Sequence, residues 1–61
     1  MRRQDEKPEV GDLWQMYDPH DGAFFDVYVI KRVKQRWEVL DLEHLNLITV
    51  PSVAWFWTRI A

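Results

Sequence analysis

There is no cysteine among the 61 residues, which excludes disulfide staples and thiolate metal centres alike. His20 and His44 fall in no zinc-type spacing, so no metal or other cofactor is expected. Serine occurs once, at Ser52, directly after Pro51, where it is placed to cap a helical turn rather than to act as a nucleophile. No stretch approaches the run of about 18 apolar residues that a membrane span needs. The amino-terminal MRRQDEKPE is charged but carries no apolar run, so it does not read as a signal peptide. Neither sign of charge dominates: ten acidic against eight basic residues leave a formal charge of −2. A balance of that sign argues against a general nucleic-acid binder, whose affinity comes from neutralising phosphates.

What the chain does hold is aromatic bulk. Four Trp, two Tyr and three Phe can each bury about 150–250 Å². A chain of this length buries only about 60% of the surface its unfolded form exposes, so those rings are the means by which it folds without staples. Residues 1–9 are mixed in charge without apolar periodicity and read as a frayed tail, leaving residues 10–61 as one domain. Val10–Gly11–Asp12 reads as a turn that launches a first strand, Leu13–Tyr17. Asp18–Gly22, DPHDG, is the clearest turn signal.

Phe24–Val33 is the strongest strand, with Phe25, Val27 and Val29 on one face and Asp26 and Tyr28 on the other. Its phase slips at Ile30, which predicts a bulge or sharp bend at Ile30–Lys31. Lys34–Gln35 is a polar hairpin connection, and Arg36–Leu42 is the next strand, with Trp37 and Val39 on one face. Residues 42–48 fit either the start of a short helix, with Leu42, Leu45 and Ile48 at helical spacing, or a return into a fourth strand. The β-branched run Ile48–Val50 favours the strand. Pro51 and Ser52 then open a single helical turn, Ser52–Phe56, before a last strand, Trp57–Ile60.

Five short strands with one helical turn before the last resemble an SH3-like small β-barrel. The resemblance is carried by Val10–Gly11–Asp12, by the Val27–x–Val29 strand, and by Ile48–x–Val50–Pro51 running on to Arg59–Ile60. It implies an all-β, five-stranded barrel with a one-turn 3-10 helix before the last strand. The chain also resembles short SH3-like proteins encoded by bacteriophages and prophages. That implies a cytoplasmic protein, of a bacterium or of an infected bacterial host, that docks on and modulates a host or viral protein. The family hosts many functions, so the fold assigns none. One relative, a plasmid-encoded dihydrofolate reductase, builds its site from a Gln-x-Tyr stretch before a Pro. Ile48 and Val50 stand there instead, so that activity is not expected.

Three side-chain groups are candidates for function. Trp55, Phe56 and Trp57 are adjacent, and no regular element points three successive side chains into one core. With Trp57, Ile60 and Val53 assigned to the core, Trp55 and Phe56 fall to the rim, joined by Tyr17 and Tyr28. Asp18, Asp21 and Asp26 lie close in sequence, and such a rim favours a basic protein partner. The expected role is accordingly that of a non-catalytic protein-binding module. The second group, Lys31, Arg32, Lys34 and Arg36, surrounds the second hairpin. It would grip phosphates in a nucleic-acid-binding domain, or serve simply as a solvated edge that discourages strand pairing. Self-association through strand edges is a third expectation, with the homo-oligomer as its product. The last group, Asp18, His20 and Asp21, sits in one turn. There Asp residues ordinarily bond backbone N–H groups, so neither a metal site nor an acid–base pair is expected of it.

Overall fold

Strands form in this chain where large apolar residues alternate with polar ones, and the computed structural model, which describes residues 7–61, contains five of them. They are β1 (Leu13–Asp18), β2 (Ala23–Val33), β3 (Arg36–Asp41), β4 (Asn46–Val50) and β5 (Phe56–Arg59). A 3-10 turn, Val53–Trp55, separates β4 from β5. All neighbours pair antiparallel in one sheet of order β4-β3-β2-β1-β5. The all-β layout expected from the sequence, helical turn included, is the layout observed.

The strand expected to bulge does so. Val29 pairs with Val39 and Lys31 with Glu38, which leaves Ile30 as the extra residue. A bulge of this kind bends and twists its strand. β2 pairs with β1 from Ala23 to Tyr28 and with β3 from Val27 to Val33, so Val27 and Tyr28 are paired on both sides. The curl that results brings Trp37 of β3 against Phe56 of β5, three places apart in the sheet, with ring centroids 5.9 Å apart. Trp14 meets the same Phe56 edge-on at 5.6 Å. These three rings, with Met16, Val27, Val29, Val39 and Val50, form the buried core.

Residues 42–45 are a turn rather than a helix, so the choice of a strand after it holds. Ser52 does cap the 3-10 turn, its Oγ accepting the Ala54 N–H at 3.1 Å. The expected tail, residues 1–9, lies outside the described residues up to residue 6. Its last part departs from expectation. Pro8 is buried, and Glu9 exchanges backbone bonds with Asp12, giving its N–H to the Asp12 carboxylate at 2.9 Å and accepting the Asp12 N–H at 3.0 Å. Order therefore reaches back beyond Val10.

The larger departure concerns β5. The helical turn stops at Trp55, one residue before the expected end, and Phe56 opens the strand opposite Met16, a core residue. A slip of one residue exchanges the two faces of a strand. Phe56, expected at the rim, is therefore buried at 6% exposure, while Trp57 and Ile60, expected in the core, are exposed at 37% and 52%. Val53 keeps its expected place, half-buried beneath the core.

Candidate functional site

The four-residue turn between β1 and β2 is closed by Asp18 opposite Ala23, which sets Tyr17 directly opposite Phe24. Both face away from Met16 and Phe25, hence away from the core side. On the other flank of β1 the ladder passes from Gln15↔Thr58 to Met16↔Phe56, leaving Trp57 as the bulged residue of β5 beside Tyr17. The outcome is a row of three rings outside the core. Centroids are 5.2 Å apart for Tyr17–Phe24, 5.6 Å for Phe24–Trp57 and 6.3 Å for Tyr17–Trp57, all in tilted or edge-on contact. Phe24 is 47% exposed.

On the far side of Tyr17, the 3-10 turn lays Trp55 alongside Pro19. Tyr17, Pro19, Ala54 and Trp55 line a shallow groove of about 190 Å³. Trp55 also packs against the core, so one edge of its ring is anchored and the other lines the groove. Asp18, between Tyr17 and Pro19 in the chain, organises the turn that carries them. Its carboxylate accepts the His20 N–H at 2.9 Å, and its carbonyl accepts the Gly22 N–H at 2.7 Å, the turn role expected of it.

Of the residues expected at a partner surface, the fold gathers Tyr17, Trp55 and Asp18. Asp26 is exposed two positions along β2 from Phe24. Tyr28 is exposed but lies four residues along the same strand, about 13 Å from Phe24 at a rise of about 3.3 Å per residue. It belongs instead to an apolar row that crosses Leu13, Tyr28, Leu40 and Leu47 in register. Phe56 has no place at the surface. Phe24 is not among the residues expected at a partner surface, and Trp57, expected in the core, stands at the surface instead. The symmetry of Tyr17 and Phe24 about the DPHDG turn was legible in the sequence, whereas the position of Trp57 depended on the β5 slip.

The basic residues of the second hairpin divide between faces. Lys31 stands opposite Glu38, with Nζ 3.9 Å from its carboxylate. Arg32 lies over the Trp37 ring at 5.1 Å and donates from Nε to the Lys34 carbonyl at 3.0 Å. Lys34, at φ 59°, forms the tip, and Arg36 is exposed beside it.

Near the acidic turn, Asp41 organises the connection between β3 and β4. It accepts the backbone N–H groups of Glu43 at 2.9 Å and His44 at 3.4 Å, and its Oδ2 lies 3.0 Å from His44 Nδ1. Partial burial pushes the Asp41 carboxyl up. The His44 ring bond, the two backbone bonds and the nearby imidazolium charge together outweigh it and hold the group below its ordinary value. The same bond to Asp41, then the charges of Asp41 and Glu43, raise His44 against a small desolvation cost. Among the described residues, no group of three or more His, Cys, Asp or Glu side chains is arranged to hold a metal ion. None of the described helices is long and apolar enough to cross a membrane. Compared with known proteins, the chain matches no family model, no curated protein and no solved structure.

Proposed function

We propose that the protein is a non-catalytic binding module whose partner is a protein, docked on the aromatic surface of Tyr17, Phe24, Trp55 and Trp57. The observation that carries this reading is the row of mutually packed rings outside a core already filled by Trp14, Trp37 and Phe56. Single exposed apolar residues are ordinary on any protein surface. Rings that touch one another form a patch, and such patches are what interfaces use as anchors. Asp18, Asp21 and Asp26 border the patch and favour a partner that presents Lys or Arg around an apolar contact.

The test begins with a selection of displayed peptides on the intact protein, followed by affinity measurements on the winners. Phe24→Ala with Trp57→Ala touches no buried core residue, so the fold should persist. Affinity should fall about tenfold or more, because interface anchors of this kind are each worth about 2 kcal/mol. Peptides that bind the double variant as tightly as the parent would place the interface elsewhere.

A further inference from the structure

The second hairpin and the groove beside the acidic turn are opposite in charge, and they lie at opposite ends of one strand. The groove, about 280 Å³ and open to solvent, runs between the β1–β2 and β3–β4 turns. Its floor is apolar, with Phe24, Phe25 and Ile48, and its rim carries Asp18, Asp21 and Glu43 together with the Asp41–His44 pair. The hairpin supplies the opposite set. Beside Val33, an apolar side chain 48% exposed, it carries Lys34 and Arg36 at and next to its tip, with Lys31 and Arg32 further along β2 on opposite faces. Among the described residues, no carboxylate pairs with Lys34 or Arg36, and no cation pairs with Asp18 or Asp21.

The hairpin cannot reach the groove of its own chain. Phe24 and Val33 are nine residues apart on β2, near its opposite ends, and the sheet between them fixes that separation. Lys34 and Arg36, beside the apolar Val33, therefore meet Asp18 and Asp21, beside the apolar Phe25 and Ile48, only across two molecules.

We infer that the groove between the β1–β2 and β3–β4 turns is a docking site for the Lys31–Arg36 hairpin of a second copy of this chain. The contact is head to tail. It uses a different patch on each partner, so association ends either in a closed assembly, the smallest being two copies that each seat the other's hairpin, or in an open chain. The groove shares Phe24, Asp18 and Asp21 with the aromatic surface, but Trp55 and Trp57 line no part of it, so the two contacts are told apart at Trp57.

Sedimentation of the whole chain over a range of concentrations tests this. At low salt the mean mass should climb with concentration to at least twice the 7.4 kDa of one chain. It should return to the single-chain value in strong salt, as the screening length shrinks from about 30 Å to about 3 Å. Lys34→Glu with Arg36→Glu, and separately Asp21→Lys with Glu43→Lys, should each remain monomeric. Mixing the two variants should restore association, because each then offers the other an opposite charge. That rescue also shows that neither variant has unfolded. Trp57→Ala should associate like the parent while losing affinity for a selected peptide, which separates this contact from the aromatic surface. A parent chain that stays monomeric at low salt, a mixture without rescue, or association abolished by Trp57→Ala would each overturn the inference. So would a monomeric parent whose Lys34 and Arg36 resonances shift on adding oligonucleotide, since the hairpin would then be a phosphate-binding surface.

Discussion

Two buried tryptophans in this core differ in how their indole N–H groups are satisfied. Trp14 donates to Asp12 Oδ2 at 3.3 Å, and that carboxylate also takes the Glu9 N–H and lies 3.7 Å from Arg59 Nη2. Trp37 Nε1 has no such partner among the described residues. Replacing either ring by Phe removes similar volume, but only Trp14→Phe removes a hydrogen bond to a charged group. It should destabilise the fold by about 1 kcal/mol more than Trp37→Phe, measured by chemical denaturation. Asp12→Ala should cost about 1–3 kcal/mol by leaving the Trp14 N–H unpaired in the interior, with Asp12→Asn in between. In the sequence Asp12 reads as a turn residue beside a glycine. Its carboxylate is only 12% exposed because the indole of Trp14 and the guanidinium of Arg59 close over it, and that second contact comes from the other end of the chain.

At the scale of elements, the connection between β3 and β4 depends on one ion pair that titrates. His44 is raised above its ordinary 6.5 by Asp41, so the stability it contributes is fully present below about pH 6.5 and is lost as pH rises through the raised value. Asp41 is held below its ordinary 3.8, so its share is present above that value and is lost as pH falls through the depressed one. The connection is therefore tightest in mildly acidic solution. The stability difference between the parent and His44→Gln should shrink toward zero as pH is raised from mildly acidic to alkaline, read from melting temperatures. A difference that grows with pH would show that the ring bond to Asp41 is not the one that matters. The pair is exposed on the histidine side, so the effect is small.

The elements themselves were largely legible. DPHDG had to be a turn, and Ile30 had to break the alternation of β2, because both follow from local residue chemistry and from the two-residue period of a strand. The phase of β5 did not follow. Val53–Ala54–Trp55–Phe56–Trp57 is apolar throughout, so no alternation marks where the helical turn ends. The choice between Phe56 and Trp57 was made by pairing with Met16 and by the space left between Trp14 and Trp37.

Considered whole, the molecule is polar along β2, acidic where that strand begins and basic where it ends. A net charge of −2 conceals this separation. If folded chains associate head to tail, binding that requires the folded form raises its apparent stability. The melting temperature should therefore rise with protein concentration at low salt and become independent of it in strong salt. Constancy in both conditions would show that the charged ends remain solvated.

The sequence by itself determined that this is an all-β chain of five short strands, where each hairpin turns, where β2 bends, and that aromatic rings must fill the core. Those features rest on local chemistry: alternation, turn residues and β-branched runs. Only the tertiary structure decided which rings fill it. Nine aromatic residues exceed what the interior accepts, and those left outside were selected by strand register, a property shared between chain segments and carried by neither alone. A one-residue slip in β5 moved Phe56 inward and Trp57 outward. The same slip placed Trp57 against Tyr17 and Phe24, and so assembled the aromatic surface.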